Sequence, residues 1–452
     1  MVYSAALTVA QPLLRRNLRR RALVEPGYGE AVEERFGYYE PAGWSPVASA
    51  AVGPTVWLHA VSLGETRAAA VLVAALRVRL PGMRLLLTNG TATGRAEGRT
   101  LLQPGDRQVW QPWDTPQAVG RFLQAFSPDI GVLMETEVWP NLVAGCVAQD
   151  VPLVVANARL NTGSLAKSER LHLLARPAYS RLAAVWAQHA DDADRLRRLG
   201  APVQGVFGNL KFDAAPNGAL LARGRQWRDA GARPVVLFAS SREGEEALWI
   251  EEFKRKVSAA GAVRRPPATE TIAEGPAAAS AVQWLVVPRH PNRFDEVAQL
   301  LQAAGLHVAR RSQWPDGAGV PPEADVWLGD TVGEMALYYG MAHAALLGGS
   351  FETLGGQNLI EAAACGCPVV MGPHTFNFAD AAEQATAAGA ATRVADMGQG
   401  VEVALRLVGD PAAQRKAATA STAFAAAHSG ASARTADAIC AVLGRRKAGY
   451  TN

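Results

Sequence analysis

Short, almost unbroken apolar runs, each closed by polar residues and recurring about every 25–35 positions, constrain this chain more than anything else in it. The first series is 55–61 (TVWLHAV), 84–91 (RLLLTNGT), 130–136 (IGVLMET) and 151–159 (VPLVVANAR). The second is 234–241 (PVVLFASS), 283–290 (QWLVVPRH), 325–330 (DVWLGD), 344–350 (AALLGGS) and 368–373 (PVVMGP). Strands that are apolar throughout, with helix-length segments between them, belong to parallel sheets covered on both faces. Two series in 452 residues, more than one core usually supports, predict an α/β protein of two Rossmann-like domains. Residues 205–217 (GVFGNLKFDAAPN) interrupt the pattern with Gly, Asn and Pro and mark a hinge. The expected division is an arm over 1–40, a first domain over 41–210 and a second over 211–452. Residues 257–281, rich in Ala, Pro and Gly and without period, are expected to be a mobile insertion. The Ala-rich tail from about 402 reads as terminal helices.

In open parallel sheets ligands bind beyond the carboxyl ends of the strands, so the residues that close each run are the ones to question. The first series offers His59, Ser62, Glu65, Thr88, Asn89, Thr91, Glu135, Glu137, Asn157 and Arg159. The second offers Ser240, Ser241, Glu245, Arg289, His290, Asp330, Glu334, Ser350, Asn358 and Glu361. Several have a simpler reading. Ser62 to Glu65 and Thr331 to Glu334 fit the capping box S/T-x-x-E, and Asn358 to Glu361 nearly does. Glycine at Gly64, Gly333, Gly355 and Gly356, where a pure cap favours a better helix former, admits a ligand close to the backbone instead.

Gly348-Gly349-Ser350 and Gly355-Gly356-Gln357-Asn358 can aim backbone N–H groups at an anion. Neither fits the dinucleotide fingerprint or the P-loop, which disfavours a dehydrogenase or a P-loop kinase. The D-x-D at Asp192 and Asp194 lies in a charged helical pattern and reads as a solvated face. Cys146, Cys365, Cys367 and Cys440 have no metal-ligand spacing and read as reduced, buried thiols. A net charge of +4 is too small to indicate nucleic acid.

The start of the chain, MVYSAALTVAQPLL, is followed by Arg15, Arg16, Arg19, Arg20 and Arg21. A secretory signal has the reverse order of charge and apolar run. Fourteen helical residues reach only about 21 Å against a hydrocarbon core of about 30 Å, so a full span is not expected. An interfacial helix on an anionic surface, with the arginines facing lipid, and a solvated basic helix capping the domain both remain open.

Taken in order, these segments resemble the Kdo transferases, which attach 3-deoxy-D-manno-octulosonic acid (Kdo) to lipid A precursors. The resemblance rests on HAVSLGE (59–65), TNGTATG (88–94), METEVWPN (134–141), NARL (157–160), GNLKFD (208–213), PRHPNRF (288–294), GDTVGE (329–334), GGS (348–350), GGQNLIEAA (355–363) and GPHTFNF (372–378). It implies a GT-B fold, with an acceptor-binding N-terminal domain, a CMP-sugar-binding C-terminal domain and a cleft between them. It implies an inverting transfer from CMP-Kdo to lipid IVA at the cytoplasmic face of the inner membrane, by a peripheral or monotopic enzyme. Glu65 is then the general base, and Glu135 and Lys211 stabilise the transition state. Pro288, Arg289, Val332, Gly333, Glu334, Asn358, Leu359, Ile360 and Glu361 hold the donor. No metal and no cofactor are expected, because CMP carries one phosphate and so less charge for a divalent ion to clamp. The chain departs from the family pattern at Gln357 (usually His), Leu359 (usually Pro) and Val332 (usually Met). It reads Ser-Ser-Arg-Glu-Gly-Glu-Glu over 240–246 where S-T-H-x-G-E-E is usual. The alternative reading is another GT-B transferase or an epimerase that uses a UDP-sugar.

Overall fold

The computed structural model describes residues 2–40, 53–213, 215–262, 282–314 and 323–449. Fourteen strands among these residues form two parallel seven-stranded sheets. The first sheet contains β1 (Thr55–His59), β2 (Arg84–Asn89), β3 (Arg107–Trp110), β4 (Ile130–Met134), β5 (Leu153–Ala158), β6 (Ala184–Ala187) and β7 (Val203–Val206). The second contains β8 (Val235–Ser241), β9 (Gln283–Pro288), β10 (Val308–Arg310), β11 (Val326–Leu328), β12 (Ala344–Leu347), β13 (Val369–Met371) and β14 (Ala391–Arg393). Their orders are β3-β2-β1-β4-β5-β6-β7 and β10-β11-β9-β8-β12-β13-β14. Each is doubly wound, and the winding reverses between β1 and β4 in one and between β8 and β12 in the other. At such a reversal the connections leave toward opposite faces, and a crevice opens at the strand ends.

The sheet centres are apolar because both faces are covered. Val56, Trp57 and Leu58 are fully buried, as are Val236, Leu237 and Phe238. Gly131 in β4 makes room for the Trp57 indole: a Cβ there would lie 2.5 Å from Leu153 and 2.7 Å from the ring. The helix Leu63–Arg79 then packs Ala68, Ala69, Leu72 and Leu76 onto the sheet.

The chain divides into two compact units, Met1–Ala214 with His428–Asn452, and Ala215–Ala427. The last helix, Ala431–Gly449, therefore belongs with the first unit, whereas the sequence reading places all of 211–452 in the second. The reason is local. The Asp213 carboxylate accepts from the Gly430 and Ser432 N–H groups at 2.6 and 2.5 Å, supplying the cap this helix lacks in its own sequence. Phe212 stacks on His428 with ring centroids 4.8 Å apart. Arg79 pairs with Asp437, and Ala436, Ile439 and Leu443 enter the apolar core beside the helix Leu63–Arg79.

Residues 2–40 pack into the first unit. Leu18, Tyr28 and Phe36 form a buried cluster, and Glu34 accepts from the Trp110 N–H at 2.8 Å and from Arg95 at 2.9 Å. The arm forms two helices, Val2–Val9 and Gln11–Val24. The first is moored by Tyr3, which donates to Asp114 at 2.9 Å, and by Ser4, which donates to Asn141 at 2.9 Å. None of the described helices is long and apolar enough to cross a membrane. In the expected insertion, the helix Glu245–Ala262 runs through 257–262, and residues 263–281 lie outside the described residues. Cys146, Cys365 and Cys367 are buried free thiols and Cys440 is half-buried.

Candidate functional site

At the reversal of the first sheet, β1 leads into Ser62–Glu65 and β4 leads into Glu135–Glu137, and the two strands are paired neighbours. Ser62 is the N-cap of the helix Leu63–Arg79, and its Oγ accepts from the Glu65 N–H at 3.3 Å. The Glu65 carboxylate turns back, accepting from the Ser62 hydroxyl at 2.9 Å through Oε1 and from the Val61 N–H at 2.9 Å through Oε2. Glu65 is thus a capping residue. It keeps the capacity to act as a base, because a carboxylate offers about four acceptor positions and the donors at this one are the Val61 N–H and the hydroxyl and N–H of Ser62. The cap fixes the orientation of the carboxylate.

Glu135 is held in the left-handed region at φ +58°, a conformation that costs a residue with a long side chain on the order of 1–2 kcal/mol. The ladder enforces it: the Glu135 N–H continues the pairing of β4 with β5 by donating to Ala156 O at 3.0 Å. Asn157, at the end of β5, is also left-handed at φ +53° and is buried. Its Oδ1 accepts from the Leu210 N–H at 3.0 Å, which moors the short turn Leu210–Asp213 that carries Lys211. The other end of that turn is moored by Asp213.

Charge is concentrated here. Burial, above all, raises the Glu65 carboxyl, and the Glu137 charge raises it further against the hydrogen bonds from Val61 and Ser62. Burial likewise raises Glu135, with Glu65 adding to the effect, while Lys211 and Arg159 pull the other way. Arg159 lies 3.9 Å from the Glu135 carboxylate. Burial leads again at Glu137, which accepts from the Trp139 indole at 2.9 Å and is raised further by Glu135. Three carboxylates that resist ionisation, with two cations beside one of them, can take a proton from a hydroxyl and can also stabilise a cationic carbon.

Other residues of the first series prove to be framework. His59 is 1% exposed, with Nδ1 3.0 Å from the Thr88 hydroxyl; Trp57 donates to the same hydroxyl at 2.9 Å. Burial lowers the His59 pKa to about 4, so the ring is neutral. Asn89 is buried and donates to Ala60 O and to the Thr66 hydroxyl. Asp192, expected on a solvated face, is 6% exposed and accepts from the Leu160 N–H at 2.9 Å, which fixes the NARL segment; Asp194 pairs with Arg197 outside.

In the second unit the loop after β12, at the reversal, is bound from within. Glu245 is fully buried, and its carboxylate accepts from the N–H groups of Gly349 (2.7 Å), Phe351 (3.0 Å) and Arg242 (2.9 Å). The Gly348-Gly349-Ser350 loop does cradle an anion, but the anion is this side chain, and the expectation of a phosphate there is corrected. Ser350 is buried and accepts from the Gly372 N–H. Glu246 forms a bidentate pair with Arg293 at 2.8 and 3.1 Å.

The expected donor residues lie around β9, β11 and the helix Leu359–Ala364. Pro288 ends β9, and the Arg289 N–H donates to Ser241 O at 3.0 Å. The Arg289 Nε donates to the Gln357 side-chain carbonyl at 3.1 Å. His290 is lowered by burial and by Arg242 and Arg289. Val332 is 76% exposed beside the left-handed Gly333. The Thr331 to Glu334 sequence is not a capping box. Glu334 accepts from Arg311 at 2.8 Å and from the Thr331 hydroxyl, and the helix Met335–Met341 has no side-chain cap. Asn358 is a true N-cap, accepting from the Ile360 N–H at 3.1 Å. Leu359 and Ile360 are buried and can meet a ligand through the backbone only, while Glu361 is half-buried. Asp330 accepts from Ser312 and Arg310 and is structural. Arg311 escapes the sequence reading because β10, which it follows, has no fully buried position to mark it as a strand.

Among the described residues no group of three or more His, Cys, Asp or Glu could hold a metal ion. At the arm, Arg15 is engaged, pairing with Glu33 and lying 3.7 Å from the Phe36 ring centroid, and Arg21 lies over Tyr28. Arg16, Arg19 and Arg20 are exposed, with Val2, Val9, Leu13, Leu23 and Val24.

Residues 30–214 match the family profile described as 3-deoxy-D-manno-octulosonic-acid transferase (kdotransferase). The chain is 46% identical over 445 residues to the 3-deoxy-D-manno-octulosonic acid transferase of Bordetella pertussis, covering 97% of this chain and 98% of the relative. It is 30% identical to the transferase of the same name from Haemophilus influenzae, covering 83% and 82%. A glycosyltransferase structure from Rickettsia africae superposes with a TM-score of 0.51 at 11% identity, over 86% of this chain and 98% of that one. That likeness is one of fold, the GT-B architecture of two Rossmann-like sheets.

Proposed function

Because the chain belongs to the family of 3-deoxy-D-manno-octulosonic acid transferases, we propose that it moves Kdo from CMP-Kdo to a lipid A precursor, lipid IVA, with inversion at the anomeric carbon. In this reading an acceptor hydroxyl attacks that carbon as the bond to the CMP phosphate breaks, and Glu65 takes the hydroxyl proton. Glu135 supports the cationic character of the anomeric carbon, and Lys211 balances the sugar carboxylate or the departing phosphate. Pro288, Arg289, Val332, Gly333, Glu334 and Asn358 through Glu361 form the donor site, with Arg289 the phosphate partner. Glu334 and Asn358 serve it by shaping backbone, since their side chains are already engaged. The reading has no metal in it: a single phosphate met by a guanidinium carries less charge for a divalent ion to clamp.

The observation that carries it is the carboxylate group at the reversal of the first sheet. Glu65 and Glu135 lie just beyond the paired strands β1 and β4, and burial raises both carboxyls, against the hydrogen bonds of the cap at one and the charge of Lys211 at the other. The exposed Arg16, Arg19 and Arg20, with exposed aliphatic residues on the same arm, support docking of a peripheral or monotopic enzyme on an anionic membrane, which this reading puts at the cytoplasmic face.

The deciding experiment incubates the protein with CMP-Kdo and a tetra-acylated lipid A precursor and follows products by mass spectrometry, with UDP-sugars as alternative donors and EDTA in a parallel arm. Each transfer appears as one Kdo mass step, unaffected by EDTA. Product from a UDP-sugar and none from CMP-Kdo would overturn the reading.

A further inference from the structure

Arg289 comes off the end of β9 with its backbone tied to Ser241 O, so its Cα is fixed by the sheet. Its long side chain still has to be aimed. One group that touches it is Gln357, whose Oε1 accepts from the guanidinium Nε at 3.1 Å. Gln357 is itself wedged. Its amide Nε2 lies over the bare Cα of Gly349, where a Cβ would stand 3.0 Å from it, and next to it the Gly356 N–H donates to Gly349 O at 2.7 Å.

From this contact we infer that Gln357 is a positioning residue that orients the Arg289 guanidinium toward the cytidylate phosphate, a diester in the donor and a monoester in released CMP, and so sets the affinity for the phosphate part of both. The inference rests on the proposed role of Arg289 in the donor site. A guanidinium is a planar fork, so fixing Nε fixes the plane of both Nη groups. The partner must also be neutral. A carboxylate at position 357 would bind Arg289 more strongly but cancel the charge the phosphate needs. A glutamine carbonyl accepts at any pH, whereas an imidazole accepts only while unprotonated, so the amide makes the aim of Arg289 independent of acidity.

The test uses the full chain and measures binding of CMP and of cytidine separately. Gln357→Leu keeps the bulk of the side chain without the acceptor. It is expected to weaken CMP about tenfold, as loss of one hydrogen bond to a charged group does, and to leave cytidine unchanged. The KM for CMP-Kdo rises in proportion and kcat changes much less. Gln357→His is expected to match the native protein near pH 8 and to lose CMP affinity as pH falls through the ordinary imidazole range of about 6.5. Retained cytidine binding reports an intact fold. If the leucine variant does not fold, Gln357→Asn, one methylene too short to reach Nε, takes its place with the same expectation. Equal weakening of CMP and cytidine, or no weakening of either, overturns the inference. Arg289→Ala run beside it separates the two levels: if it lowers CMP affinity while Gln357→Leu does not, the donor-site reading stands and the positioning role falls. If Arg289→Ala leaves CMP affinity unchanged, both fall.

Discussion

Ser62 and Glu65 cap each other: the serine hydroxyl donates to the glutamate carboxylate at 2.9 Å and accepts from the glutamate N–H at 3.3 Å. One carboxylate therefore holds the start of the helix Leu63–Arg79 and is also the proposed base. Ser62→Ala removes the cap and leaves the carboxylate. It is expected to cost about 1 kcal/mol of stability and only a small part of turnover. Glu65→Gln leaves a side chain that can still accept from the Val61 N–H but cannot take a proton. It is expected to lower kcat by about 10²–10⁴ with a smaller change in melting temperature. Paired unfolding and turnover measurements on the two variants check this; equal turnover losses would contradict the assigned base.

The pH profile carries the electrostatics of the same group. In the proposed mechanism transfer requires Glu65 ionised, and burial with the charge of Glu137 raises its pKa above the ordinary 4.5. The acid limb of kcat/KM is expected above that value, with activity falling as pH drops through it. Glu137→Gln removes a negative neighbour and is expected to move the limb to lower pH. In folding the sign is opposite to that of a salt-bridged acid. The native state keeps the proton to higher pH than the unfolded chain, so this carboxyl's contribution to stability declines as pH rises through the interval.

His59 makes the complementary case. Its folded pKa is about 4 against an ordinary 6.5, and the unfolded chain takes up a proton in that window that the native core refuses. Stability is therefore expected to be complete above about pH 6.5 and to be lost progressively down to about pH 4, by roughly 3 kcal/mol from this ring. Urea titrations at pH 7 and pH 5 measure it, and His59→Phe is expected to flatten the difference.

The Asp213 carboxylate binds two N–H groups at the start of the last helix and closes the turn that carries Lys211. Asp213→Ala is expected to cost about 1–3 kcal/mol, read by urea unfolding of the full chain, and to lower kcat because the lysine turn is released at one end. Lys211→Met is expected to lower kcat with little loss of stability.

The sheets were legible because their central strands are apolar on both faces; what the runs could not reveal were the margins. Four strands the apolar pattern misses, β3, β7, β10 and β14, are edges with half-buried or exposed positions, and the fifth is β6, four buried residues next to the edge strand β7. Polar residues closing the recognised runs gave Glu65, Glu135, Glu137 and Arg159, which the fold gathers. The same rule swept in His59, Asn89 and Ser350, because a polar residue that ends a strand satisfies buried backbone as readily as it meets a ligand. Residue type alone could not separate Glu245, which fills its own loop, from Glu65, which keeps acceptor positions unused. Nor could periodicity show that Asp213 and Gly430 meet, since no local pattern links residues so far apart.

That meeting has an architectural consequence. For the first unit, everything between 215 and 427 is a single loop whose two ends are already joined by Asp213 with Gly430 and by Phe212 with His428. The cost of closing a loop grows only with the logarithm of its length, so the host is nearly indifferent to the size of what is inserted. The second unit is therefore expected to be exchangeable as a cassette: a graft of the corresponding segment of a relative between positions 214 and 428 keeps the seam, and with it the lysine turn.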